Sequence, residues 1–281
     1  MKKLSILTAL FLSVQLFAQS PWTKKKNEGY VQLNFTTVAS YDKVFGSPDY
    51  DTQRQITDNT LQLYGEFGIT NNTTIFANVP LKMLKSGNFS KDMTLVLPIF
   101  TTTKATETTL GNIQFGVKHN FINNKWLVSA QLAVEANTSS YNADAGLRSG
   151  YDAWTVTPLI LAGRGFDKWY IQAFTGVDIR TNNYSSNFKL GGEVGYKTLN
   201  WLWIAGFLDG VASFKNGDIV LPQENLATAL YVNDQSYTAF GLKFIAEFNK
   251  NFGANVGLGG AFAGRNVAKA PAISVGLFHK F

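Results

Sequence analysis

Apolar and polar residues alternate one by one along most of this chain. Leu61, Leu63, Phe67 and Ile69 alternate with Gln62, Tyr64 and Glu66, and Ile113, Phe115 and Val117 alternate with Gln114, Gly116 and Lys118. The period recurs in Trp126, Val128, Ala130, Leu132 and Val134 against Ser129, Gln131 and Glu135, and in Trp169, Ile171, Ala173, Val177 and Ile179 against Gln172, Asp178 and Arg180. Further on, Phe188, Leu190, Val194 and Tyr196 oppose Lys189, Glu193 and Lys197, and Phe240, Leu242, Phe244 and Phe248 oppose Lys243 and Glu247. Phe252, Ala254, Val256, Leu258 and Phe262 oppose Asn255 and Arg265. A period of two sends successive side chains to opposite faces of a strand. The chain therefore reads as about twelve strands, each near the length a tilted strand needs to cross a bilayer. Alternation is less clean in Tyr30–Tyr41, Thr74–Leu84, Asp152–Gly165 and Trp201–Ser213, with Pro80 and Pro158 inside two of them. Proline lacks a ladder donor, so both are expected at a bulge, a strand end or an under-paired position.

The connections fall into two classes that take turns. Asn71-Asn72, Asn123-Asn124, Phe166-Asp167, Leu199-Asn200 and Lys250-Asn251 are tight hairpin turns, where Asn or Asp tolerates positive φ. Between them lie long polar segments, Asp42–Gln55, Lys85–Glu107, Thr138–Gly150 and Phe214–Gln235. Short periplasmic turns and long outer loops are the habit of outer-membrane barrels, and an even strand count leaves both mature ends in the periplasm. A soluble sandwich or lipocalin-like barrel also alternates, but turns segregated by length favour the transmembrane antiparallel up-and-down β-barrel.

Both ends of the chain fit that class. Met1-Lys2-Lys3 precedes an apolar run, Leu4 to Phe17, and Ala18 is a small residue at a cleavage point, so residues 1–18 read as a signal peptide and 19–281 as one barrel domain. The last stretch places Ile273, Val275, Leu277, His279 and Phe281 on one face, the expected lipid side of a closing strand and the handle for the barrel assembly machinery. Trp126, Trp169, Trp201, Trp203 and Phe281, near strand ends, suit the aromatic girdles of a membrane barrel.

Composition narrows the chemistry. No cysteine is present, which excludes disulfides, a lipid-modified N-terminal Cys and thiol catalysis. The formal charge of +6 drops by two with Lys2 and Lys3, and the remaining basic residues are scattered, so no nucleic-acid surface is expected. Outer-membrane lipid and a small solute are the expected partners, and no cofactor or metal is implied. The two histidines, His119 and His279, share parity with lipid-facing residues, and Phe121 and Phe281 stand where a phospholipase-type His-x-Ser motif needs serine. No enzyme is expected.

The inward parity carries Lys118, Arg180, Lys197, Lys243 and Arg265 against Glu66, Glu135, Asp178, Glu193 and Glu247, the candidate lumen lining. Charges belong inside because on the lipid face near the midplane each would cost about 2–4 kcal/mol. Two readings stay open, a salt-bridge network that fixes barrel shape and a mixed-sign pore lining; the balance of signs argues against strong ion selectivity.

Leu110-Gly-Asn-Ile-Gln-Phe-Gly-Val-Lys118, Phe214-Lys-Asn-Gly217 and Gly264-Arg-Asn266 resemble the outer-membrane family named for the meta-pathway of phenol degradation. That resemblance implies a transporter-like barrel for aromatic or other small hydrophobic compounds, without catalytic residues. The Gln-Ser start after Ala18 and the Asn- and Phe-rich composition are similar to those of Bacteroidetes proteins. The expected function is passage of a small hydrophobic or aromatic solute, with Lys85–Glu107 as constriction or lid; the alternative is a non-conducting structural or surface-binding barrel acting through its outer loops.

Overall fold

The computed structural model describes residues 19–88 and 103–281. The expected signal peptide, residues 1–18, and most of the expected 85–107 lid lie outside the described residues. After an N-terminal strap, residues 19–28, come β1 (Gly29–Phe45), β2 (Tyr50–Gly68) and β3 (Thr73–Ser86). A stave in two pieces follows, β4 (Ala105–Leu110) and β5 (Ile113–Asn123), and then β6 (Leu127–Ala136). A small inner hairpin, β7 (Tyr141–Asn142) and β8 (Leu147–Arg148), leads to β9 (Thr155–Gly165), β10 (Trp169–Arg180), β11 (Asn187–Leu199) and β12 (Leu202–Ser213). One helical turn, α1 (Gln223–Leu226), precedes β13 (Ser236–Glu247), β14 (Phe252–Arg265), the short β15 (Val267–Ala268) and β16 (Ala272–Lys280).

Every neighbour is antiparallel, and β1 pairs with both β2 and β16, closing a 12-strand barrel. The closing register runs from Tyr30 opposite Lys280 to Val38 opposite Ala272. Among the described residues each strand from β5 onward in the closed ring has a neighbour on both sides, the condition a β structure must meet in hydrocarbon, while β4, at the long-loop end, pairs with β3 alone.

The two faces follow from the alternation. Leu33, Leu63, Phe115, Ile160, Leu190, Leu208 and Leu277 stand exposed on the outside, while Asn34, Gln62, Glu66, Lys118, Gln172 and Glu193 are buried within. A protein in water has the reverse arrangement, so the outer face is built for lipid. No described helix is long and apolar enough to cross a membrane; the crossing is made by strands.

The principal apolar core sits at the long-loop end. There Val38, Tyr41, Val44, Ile56 and Leu84 of the wall pack on Ala145, Leu147 and Leu230 of loops folded into the barrel mouth. The expected loop 42–55 is mostly strand instead: β1 and β2 stay paired up to Val44 and Tyr50, and only residues 46–49 turn. Their inward side chains Val44 and Ile56 find apolar partners in that core, which extends the ladder past the bilayer.

The tight turns stand where the Asn and Asp pairs predict them, at 69–72, 124–126, 166–168, 200–201 and 248–251. Positive φ is not their device. It occurs in the outer connections, at Asn182, Asn183 and Asn266 among others, and at Asn27 of the strap. Pro80 faces the break between β4 and β5, where Gly111 N–H donates to its carbonyl at 2.9 Å, and Pro158 lies where the β9–β10 ladder skips from Val156 to Leu159.

Candidate functional site

The inner wall presents most of its charges in compensated groups. Near the tight-turn end, Glu66 accepts from Tyr64 Oη at 2.7 Å and Lys118 Nζ at 3.2 Å, with Lys24 of the strap at 3.4 Å. Across the lumen, Glu193 accepts from Lys243 at 2.5 Å, Tyr170 Oη at 2.7 Å and Gln172 Nε2 at 3.0 Å. Glu247 pairs with Lys280 at 2.7 Å, and Lys197 lies 5.4 Å from the Trp203 ring centre. At mid-height, Asp178 accepts from Thr157 at 2.7 Å and pairs with Arg180 and Lys189 at 3.5 and 3.6 Å, while Glu135 accepts from Asn112 at 3.0 Å.

Nine of the ten residues singled out by parity thus face inward; Arg265 does not. The β13–β14 ladder passes from Ala239–Ala261 to Thr238–Ala263, so Phe262 is an extra residue, and the bulge reverses the parity beyond it and leaves Arg265 exposed. Trp203 departs from the girdle expectation: it faces the lumen, 5.6 Å from the Tyr170 ring. The buried pair Asp58–Lys82 at 2.6 Å also belongs to the lining. Asp58 shares the even parity of Gln62 and Glu66, a signal present in the sequence. His119 meets Thr73 Oγ1 at 2.9 Å and His279 stacks on Phe252, both on the outer face. Among the described residues no cluster of three or more His, Asp or Glu could hold a metal ion.

Two structures close on this lining from opposite ends. At the long-loop end, Asn225 accepts from Arg148 Nε at 2.9 Å, and Thr228 Oγ1 donates to the Gly146 carbonyl at 2.8 Å. Tyr41 Oη donates to the Thr228 carbonyl at 2.8 Å, and Arg54 to the Ala145 carbonyl at 2.7 Å. The segments 138–150 and 214–235 fill this mouth, and from the described part of 85–107 Thr103 N–H donates to the Asp144 carbonyl at 2.8 Å and Ala105 packs against the same core. Burial raises the Tyr151 hydroxyl to about 12, keeping it a neutral donor to Gln235 in the same plug.

At the other end, the strap runs along the inner wall. Lys118 Nζ donates to the Ser20 carbonyl at 3.0 Å, Ser129 Oγ to the Pro21 carbonyl at 2.6 Å, and Lys24 N–H to Thr74 Oγ1 at 2.7 Å. Its seat depends on two glycines: a Cβ at Gly68 would stand 1.9 Å from the Lys25 carbonyl oxygen, and one at Gly163 would stand 2.6 Å from Pro21 Cγ. Neither the strap nor the loop plug shows the period of two, which is why parity does not reveal them. Between strap and opposite wall a cavity of about 580 Å³ remains, lined by Trp22, Tyr30, Tyr170, Trp203 and the Glu193–Lys243 pair; nearer the plug lies a space of about 250 Å³.

Comparison with solved structures places this architecture among outer-membrane barrels. The COG4313 outer membrane channel from Pseudomonas putida F1 superposes with a TM-score of 0.70 at 13% identity, over 95% of this chain and 100% of that chain. The KdgM porin matches with a TM-score of 0.53 at 9% identity, over 90% and 99%, and the translocator domain of autotransporter NalP from Neisseria meningitidis with 0.52 at 8%, over 92% and 90%. At such identities the likeness is one of fold. Curated protein sequences give no match. The family described as the MetA-pathway of phenol degradation matches residues 30–277. With nearly all of its barrel covered by that match, the chain belongs to this family and has the fold of an outer-membrane β-barrel.

Proposed function

We propose that this barrel passes a small, weakly polar, ring-bearing solute, aromatic or hydrophobic in part, across the outer membrane. The observation that carries the reading is the cavity of about 580 Å³ whose rings, Tyr30, Tyr170 and Trp203, stand beside charges already paired with one another. A lining of one sign would select an ion; this one offers ring faces and no net charge. The nine inward charged residues act as wall braces and as this mixed lining at once. Planar-bilayer recording and solute flux into liposomes test the reading: the folded protein gives small, weakly selective conductance and admits ring-bearing solutes. Absence of both conductance and flux overturns it.

A second reading rests on the packed outer mouth, where Leu147 and Leu230 seal the barrel with buried apolar contact. It makes the protein a non-conducting barrel that binds a partner through its outer loops. Deleting residues 89–102 separates the two, because a binding barrel loses its partner and a channel conducts at least as well as before.

A further inference from the structure

The cavity beside the strap has a composition that specifies more than size. Its charged groups are three carboxylate–lysine pairs, Glu66–Lys24, Glu193–Lys243 and Glu247–Lys280, so it is neutral as a whole. A charged guest would give up its hydration without finding an unpaired partner. Tyr170 Oη already donates to Glu193, and Tyr30 Oη to Gln32, so both hydroxyls can only accept from a guest. Asn255 and Ser274 line the same space with no side-chain hydrogen bond to the described residues, and Gln172 spends its amide N–H on Glu193 and keeps its carbonyl oxygen. These groups are spread over β10, β14 and β16, around the ring faces of Trp203 and Tyr170. A guest with one polar atom would leave most of them unmet, and an unmet polar group in a desolvated site is costly.

Resting on the passage reading above for the entry of a ring-bearing solute, and narrowing it away from aromatic guests, we propose that the cavity is a binding site for a neutral, hydroxyl-rich ring compound, a sugar of one or two rings. Its C–H face packs against the Trp203 ring, where the negative ring face meets polarised hydrogens, with Tyr170 tilted 54° beside it. Its hydroxyls donate to the tyrosine oxygens and to Gln172, and exchange hydrogen bonds with Asn255 and Ser274. A volume of about 580 Å³ suits a guest of that size and is oversized for one benzene ring. Trp22 of the strap, 5.9 Å from Tyr170 and edge-on to it, completes the wall, so the strap is part of the site.

Calorimetric titration of the detergent-solubilised protein with maltose, with phenol and glucuronate as comparators, tests the assignment. Maltose binds saturably, whereas phenol and glucuronate bind more weakly or not at all. Trp203→Ala and Asn255→Leu each weaken maltose binding by about tenfold. Heat-modifiable migration confirms a folded barrel, and Asn255→Leu carries the test alone if Trp203→Ala does not fold. No saturable maltose binding, tighter binding of phenol or glucuronate, or an Asn255→Leu variant that binds maltose like the parent overturns the assignment. Liposome swelling in maltose keeps the two ideas apart: swelling without saturable binding removes the site and leaves passage standing, and binding without swelling or conductance removes passage and leaves the site.

Discussion

At the long-loop end of the barrel, apolar side chains from the wall meet apolar side chains from folded-in loops, and carbonyls of the plug are held by Tyr41 and Arg54. At the tight-turn end, the same wall meets one extended strap, and the contacts are ionic groups, aromatic rings and two glycine seats. The staves do not differ in kind between the ends; what differs is how much chain each end has to spend on filling itself. Loops of a dozen or more residues supply enough apolar surface to build a small core, and two- to four-residue turns supply none, so the lower half stays hollow and must satisfy its charges on its own wall. Closure by packing and closure by pairing should therefore fail differently.

The largest expected effect is at the paired end. Glu66→Gln keeps the shape of the side chain but leaves Lys118, 1% exposed, without its carboxylate, and should cost about 3–5 kcal/mol, read as a lower midpoint in urea unfolding from lipid vesicles. Replacing both partners, Glu66→Leu with Lys118→Met, should recover much of that loss, because an apolar pair of similar volume needs no compensation. A single variant as stable as the parent would mean that the lower wall does not depend on this pair. At the packed end, Leu147→Ala removes a fully buried plug residue and should cost about 2–5 kcal/mol, without sensitivity to salt. The same variant should raise conductance, since the lost contacts hold the plug in the mouth; unchanged current with lowered stability would detach the plug from gating.

The smallest effect lies beyond both ends, at the hairpin tip between β1 and β2. The Lys269 ammonium, 2.5 Å from the Asp49 carboxylate, holds that carboxyl below its usual range, assisted by the Gly46 N–H. A lowered pKa in the folded state stabilises above the ordinary carboxylate value and is lost as pH falls through the folded one. Protection of the Gly46 amide, taken relative to its intrinsic exchange rate at each pH, should therefore fall only in acid below the ordinary carboxylate range, and Asp49→Asn should lower that protection at neutral pH. Equal protection in parent and variant would show that the tip is held by its backbone alone.

How far all this can be read from sequence depends on the source of order. Period-two order is written residue by residue, so the wall, the outward placement of His119 and His279, and nine inward charges are legible. A single inserted residue at Phe262 undoes that reading locally, because parity counts positions and cannot see a bulge. Nearness to a strand end points Trp203 to a girdle, although its odd number matches inward Ala205 and Phe207. The plug and strap have no period at all. Asn225 and Thr228 are polar residues that look like surface loop, and their hydrogen bonds with Arg148, Gly146 and the Leu230 carbonyl let them be buried.

Strand lengths around the rim are unequal: β1 and β2 run 17 and 19 residues, while β6 has 10. At roughly 3.3 Å per residue and a tilt near 40°, nine extra residues raise one side of the wall by about 20 Å. The outer edge is thus a ramp. Among the described residues the β1–β2 hairpin is therefore the part of the wall that stands farthest from the bilayer, and the β6 side the part that stands nearest to it.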